Sequence, residues 1–142
     1  MPPLSPPSFQ RILLAEDDAD DRFLFKTALE EMSLPFKLTT VNDGVELMNL
    51  LSVMNAEDLP DVLFLDLNMP LKNGYQCLAE MKRIENLDLL KIIVFSSAHA
   101  TSELLQLYQD KDLYFIRKPD NMKEYKKVIH QSLHLKRNLP TS

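Results

Sequence analysis

Asp61-Val-Leu-Phe-Leu-Asp66-Leu-Asn-Met-Pro70 decides how the chain is read. Its first half is a short, near-continuous apolar run of the kind found in strands covered on both faces, and it ends on an acidic residue. Ile92-Ile-Val-Phe95 repeats the pattern, and residues 11–15 and 113–117 hold similar runs. A fifth candidate, Phe36-Lys-Leu-Thr-Thr-Val41, mixes a lysine and two threonines into the run and reads as an edge strand. The strands are therefore expected at 11–15, 36–41, 61–66, 91–96 and 113–117.

Five stretches of helical period separate and follow them, at about 19–32, 45–54, 74–84, 102–108 and 122–135. Their apolar residues recur at three- and four-residue steps, as in Phe25, Ala28, Leu29 and Met32, or Met122, Tyr125, Ile129 and Leu133. Strand and helix alternating five times, with right-handed crossovers, places helices on both faces of one mostly parallel sheet.

The chain has 142 residues, 45% hydrophobic and 26% charged, enough for one packed domain with no room for a separate output module. Sixteen Lys and Arg stand against 21 Asp and Glu, a net charge of −5 without the basic stripe that nucleic-acid binding needs. The first eight residues hold four of the nine prolines and read as a flexible arm. The domain is expected over 9–136, with a short tail over 137–142. Neither a signal peptide nor a membrane span is visible, so a soluble, cytoplasmic protein without membrane contact is expected. The single Cys77 lies in the series Cys77, Leu78, Met81, Ile84 and reads as a core residue in a reducing compartment.

In an open parallel sheet, ligands bind beyond the carboxyl ends of the strands. Strand one runs into Glu16-Asp17-Asp18, strand three into Asp66-Leu-Asn68, strand four into Ser96-Ser97 and strand five into Lys118-Pro119. If strands one and three are neighbours, several carboxylates, a hydroxyl and a lysine converge. Crowded carboxylates repel unless a cation relieves them, and oxygen ligands without His or Cys select a hard ion such as Mg²⁺. An Asp beside that ion is placed to attack a phosphoryl donor, with the lysine and hydroxyl compensating the transferred oxygens.

Glu16-Asp17, Asp66 within Leu-Phe-Leu-Asp-Leu-Asn-Met-Pro, Asn73-Gly74, Ser96 and Lys118-Pro119 together resemble the receiver domain of bacterial two-component response regulators. The likeness runs from about Arg11 to His134. It implies an α/β, doubly wound, flavodoxin-like fold whose five parallel strands take the order 2-1-3-4-5. It also implies that Asp66 is the phosphoacceptor and that Ser96 and Lys118 assist it. Glu16, Asp17, Asp66 and the backbone carbonyl of Asn68 would hold Mg²⁺, Pro119 would follow a cis peptide bond, and Ser96 with Phe115 would form the switch. In that switch the Ser96 hydroxyl is drawn inward on phosphorylation and Phe115 fills the space. Asn68 and Ala98 stand where hydrolysis of the acyl phosphate is tuned.

The implied function is phosphoryl acceptance from a histidine kinase or phosphotransfer protein, with the signal passed to a downstream protein target or a homodimer. The contact face would comprise the fourth helix candidate, strand five and the fifth helix candidate, and the chain would not be an enzyme beyond its own phosphorylation and dephosphorylation. The acidic start and Asn55-Ala-Glu-Asp-Leu-Pro60 further resemble small regulators serving hybrid or phytochrome-type kinases. Two departures stand out. Gln109-Asp-Lys-Asp112 replaces a Gly-Ala turn, and Ser96 replaces the commoner Thr.

Two rival functions share some of these residues. An aspartyl-nucleophile phosphatase or phosphotransferase also uses Asp, Lys and Mg²⁺, but its nucleophile follows the first strand with a second Asp two residues on, where this chain has Asn68. A receiver-like module signalling without phosphate would not need Glu16, Asp17, Asp66, Ser96 and Lys118 intact. Elsewhere the ordinary readings hold. Asp20 and Asp21 read as cap and first-turn residues, no calcium loop fits the acidic run, His130 and His134 lie on a solvated helix face, and Tyr114 packs as a strand residue.

Overall fold

The computed structural model describes residues 10–84, 87, 90–97 and 113–134. The proline arm, the helix candidate at 102–108, the turn at 109–112, Ala98 and the C-terminal tail lie outside the described residues. Strands β1 (Gln10–Ala15), β2 (Phe36–Val41), β3 (Val62–Leu65), β4 (Lys91–Ser96) and β5 (Leu113–Arg117) form one sheet. All neighbouring pairs are parallel and the order is β2-β1-β3-β4-β5. The polar β2 occupies an edge, as its lysine and threonines suggest. Helices α1 (Ala19–Glu30), α2 (Gly44–Val53), α3 (Gly74–Met81) and α4 (Met122–Ser132) accompany them, and a 3₁₀ turn, Ala56–Asp58, precedes β3.

Alternation along the strands divides the core between the two faces of the sheet. Leu13, Leu63, Leu65, Ile92 and Val94 pack with Leu47, Leu51, Cys77, Leu78 and Met81 of α2 and α3. Ile12, Leu14, Val62, Phe64, Ile93 and Phe95 pack with Phe25, Ala28 and Leu29 of α1 and with Tyr125 and Ile129 of α4. Phe25 meets Phe64 edge-to-face with ring centroids 4.8 Å apart, and Phe95 meets Tyr125 in the same manner at 5.3 Å. Every residue of β3 and β4 is buried, which is why their sequences run apolar without alternation.

The helix starts carry capping side chains. Asp18, Asp43, Asn73 and Asn121 each accept a backbone N–H of the following turn, and Asn73 with Gln76 forms a reciprocal capping box. Helix ends fall short of the apolar pattern at Met32 and Ile84. There the Met32 N–H reaches Leu29 and the Ile84 N–H reaches Met81, three-residue bonds that tighten the chain out of α-helix while keeping the side chain on the core.

Cys77 is buried, and its thiol lies 3.6 Å from the carbonyl oxygen of Gly44. Burial, with the charge of Glu80 adding to it, pushes the thiol from 9.0 up to about 11. The neutral form is thus favoured in the folded chain, so stability should fall as pH rises from 9 towards 11. A thiolate-selective disulfide reagent at pH 8 should label the denatured chain at once and the native chain far more slowly. Equal rates would contradict this placement. Among the described residues no helix is long and apolar enough to cross a membrane.

Candidate functional site

The strand register assembles the site. Ala15 pairs with Leu65 and Leu65 with Val94, so the next residues of β1 and β3, Glu16 and Asp66, emerge side by side at the carboxyl edge. The Asp66 N–H donates to the carbonyl of Ala15 at 3.1 Å and locks that alignment. Ser96 ends β4, and the Lys118 N–H donates to the Ser96 carbonyl at 2.9 Å, which carries the lysine to the same edge. Beyond Asp66 the chain turns sharply. Leu71 takes a left-handed φ of 67°, and the Gly74 N–H returns to the carbonyl of Leu67 at 2.9 Å.

Glu16, Asp66 and Lys118 line a cleft of about 560 Å³ together with Asp17, Asp21, Asn68, Ser97 and Tyr125. Ser96 Oγ donates to Asp66 Oδ1 at 3.1 Å, the Asn68 N–H donates to the same oxygen at 3.1 Å, and Lys118 Nζ donates to Asp66 Oδ2 at 3.1 Å. Lys118 also pairs with Glu16 Oε1 and, at 3.0 Å, with Asp21 Oδ2. Among the described residues, Glu16, Asp17 and Asp66 offer three carboxylate oxygens within 4.8 Å of one another. Glu16 and Asp66 are buried while Asp17 is exposed, so the cluster opens to solvent on one side.

The electrostatics follow from crowding. Burial raises the Glu16 carboxyl above the ordinary range, the negative charge of Asp66 adds to this, and Lys118 opposes it. Burial also acts against the Lys118 charge, but the hydrogen bond and charge of Glu16, with Asp66 and Asp21, overcome it and hold the ammonium above its usual value. Lys118 pairs with Glu16, Asp66 and the half-buried Asp21, and the exposed Asp17 adjoins the first two, so carboxylates outnumber the ammonium. An all-oxygen donor set without His or Cys suits a hard divalent cation, which would relieve that excess.

Glu16, Asp17, Asp66, Ser96 and Lys118 all meet at this edge, and Asn68 lines the same cleft. Two expectations change. The Lys118–Pro119 peptide is trans, the ordinary isomer of such bonds, and Lys118 reaches its partners from it. Phe115 is half-buried and packed against the α2–α3 side of the core. Asp21 is more than a first-turn residue, since its carboxylate turns into the cleft and onto Lys118. No local signal separates it from an ordinary first-turn acid, since Lys118 lies 97 residues away in sequence.

The model of the response regulator receiver domain matches residues 12–130. The chain belongs to the response regulator receiver-domain family. As a receiver of two-component systems it is a signalling domain and not a classical enzyme. Response regulator Rcp1 of Synechocystis sp. is 27% identical over 121 residues, covering 83% of this receiver and 82% of that protein. The crystal structure of the phosphorylated cyanobacterial phytochrome response regulator RcpA superposes with a TM-score of 0.77 at 28% identity, covering 88% of this chain and 91% of that one. The Mn²⁺-bound form of Rcp1 gives a TM-score of 0.73 at 26% identity, covering 86% and 90%. The receiver shares their five-stranded, doubly wound fold.

Proposed function

We propose that this receiver accepts a phosphoryl group on Asp66 in a Mg²⁺-dependent reaction with a histidine kinase or phosphotransfer protein, and signals through contacts that depend on that group. The observation that carries the reading is the double hold on one carboxylate. Ser96 occupies Oδ1 and Lys118 occupies Oδ2 of Asp66, within the Glu16, Asp17 and Asp66 cluster. A phosphorylated relative and a Mn²⁺-bound relative at more than 25% identity support it.

Glu16, Asp17, Asp66 and the backbone carbonyl of Asn68 would hold the ion, which supplies charge neutralisation for the phosphoryl oxygens. An oxygen of the Asp66 carboxylate attacks phosphorus, forming an O–P bond as the bond from phosphorus to the donor's leaving group breaks. The product is an aspartyl phosphate. Lys118 and Ser96 transfer their hydrogen bonds towards the new phosphoryl oxygens, and they are already within reach, so little reorganisation is needed. Water attack on phosphorus later releases orthophosphate and restores the carboxylate.

Phe115 and Ser96 are the proposed switch. On phosphorylation the Ser96 hydroxyl is drawn inward towards the phosphoryl oxygens, and Phe115 fills the space it leaves. Strand β5 and helix α4 form part of the proposed contact surface for a downstream target or a second copy; the segment 101–108 completes it outside the described residues. The receiver domain is assigned to 9–136 and the setting to the cytoplasm.

Incubation with acetyl phosphate, followed by intact mass, tests the reading. One added phosphoryl group is expected with Mg²⁺ and none with a chelator. Phosphodonor turnover without an adduct would favour the phosphatase alternative, and no reaction would favour a phosphate-independent module.

A further inference from the structure

Lys118 has one more acceptor than the proposed reaction uses. Its ammonium has three N–H donors and meets three carboxylates, those of Glu16, Asp66 and Asp21. Glu16 and Asp66 are shared with Asp17 in the cluster suited to a cation, and Asp21 is outside that cluster. A cation held there would draw on the oxygens of Glu16 and Asp66, and phosphoryl transfer would turn the Asp66 carboxylate into an acyl phosphate whose own oxygens the ammonium has to meet. Asp21 is then the carboxylate that serves the ammonium alone.

Asp21 is built to keep its position. Its backbone N–H donates to Asp18 Oδ1 at 3.1 Å, and its carbonyl accepts from the Tyr125 hydroxyl at 3.4 Å, tying the first turn of α1 to α4. Tyr125 is buried against Phe95, and the Lys118 ammonium lies 5.9 Å from the centre of the Phe95 ring. The lysine therefore runs between an aromatic ring and an anchored carboxylate towards Asp66. Asp20 is a natural comparison. It carries the same charge on the same turn, with its N–H on Asp18 Oδ1 at 2.8 Å, but its side chain is exposed and is not a partner of Lys118.

We infer that Asp21 is a positioning residue for phosphoryl transfer, holding the Lys118 ammonium aimed at Asp66 while Glu16 and Asp66 are engaged by the cation and the phosphoryl group. This rests on Asp66 being the phosphoacceptor and Lys118 its counter-cation. A lysine without that anchor has a long flexible stem free to turn towards solvent, and misplacement of a charge-compensating group slows transfer. Simple charge predicts the opposite sign. Removing a carboxylate beside an anionic phosphodonor should speed the reaction, and Asp20→Ala measures that contribution.

The experiment uses the full chain with acetyl phosphate and saturating Mg²⁺, comparing the wild type with Asp20→Ala, Asp21→Asn and Asp21→Ala. Phosphorylation rates come from intact mass, and Mg²⁺ and beryllofluoride affinities from calorimetry. Asp20→Ala is expected at or slightly above the wild-type rate. Asp21→Ala is expected roughly fivefold below Asp20→Ala, the scale of one partly exposed ion pair. Asp21→Asn should fall between them, because its amide oxygen still accepts a hydrogen bond. Beryllofluoride affinity should fall with the rate, while Mg²⁺ affinity stays equal in Asp20→Ala and Asp21→Ala. Equal rates in those two variants, or a fall in rate matched by a fall in Mg²⁺ affinity, would overturn the inference alone. A wild type that takes up no phosphoryl group would overturn the reading of Asp66 and the inference with it.

Discussion

Asp66→Asn is expected to take up no phosphoryl group from acetyl phosphate under conditions where the wild type is labelled. The amide keeps the shape of the side chain and loses the nucleophile, since its nitrogen lone pair is delocalised and its oxygen carries no charge to drive attack on phosphorus. The fold should survive. Asp66 accepts from Ser96, Asn68 and Lys118, and an asparagine oxygen can keep the first two while its NH₂ faces the Lys118 ammonium as a second donor. That mismatch costs about 1 kcal/mol. Against it, the change removes one of the charges that raise the Glu16 carboxyl, so stability should stay within about 1 kcal/mol of the wild type. Loss of labelling with an unchanged melting curve is the expected pair of results. Labelling retained in this variant would place the phosphoacceptor elsewhere.

Gly44→Ala is expected to be strongly destabilising. A Cβ at Gly44 would lie 1.8 Å from the carbonyl oxygen of Lys72 and 2.6 Å from its carbonyl carbon. Those are backbone atoms of the turn between Asp66 and α3, and they cannot move aside as a side-chain tip can. Gly44 opens α2 and its carbonyl receives the Cys77 thiol, so the strain would separate α2 from α3 where the core is continuous. Overpacking of this kind costs about 3 kcal/mol or more. A loss of roughly 10 °C in melting temperature follows for a domain of this size. Gly74→Ala should be milder, because its Cβ would meet the Leu67 Cα at 2.7 Å and the Asp66 carbonyl oxygen at 2.8 Å. It would bear directly on the backbone of Asp66, so phosphorylation should suffer more than stability. A Gly44→Ala melting curve within a degree or two of wild type would show that the α2–α3 contact yields easily.

What could be read from the residues alone was whatever local pattern dictates. Val62 to Leu65 and Ile92 to Phe95 are buried on both faces, so composition identified them as central strands. The mixed β2 read as an edge because an exposed edge tolerates Lys37 and Thr40. Glu16, Asp17, Asp66, Ser96 and Lys118 were legible because each ends or closely follows a strand whose carboxyl end faces one cleft. Long-range geometry was not legible in the same way. The carboxylate of Asp21 satisfies every local rule for a first-turn acid, and only the approach of Lys118, 97 residues away in sequence, gives it a second partner. Gly44, expected just before its helix, opens α2 because a side chain there would strike Lys72, a contact between residues far apart in sequence.

The central claim is that one carboxylate, Asp66, carries the phosphoryl group. Borohydride reduces an aspartyl phosphate to homoserine, so peptide mapping after Mg²⁺ and acetyl phosphate treatment of the wild type reports the modified residue directly. Homoserine at position 66, absent when Mg²⁺ is chelated, is the predicted result. Homoserine at position 17 or 21, or a phosphoryl group on a serine or histidine with position 66 unchanged, would contradict the account.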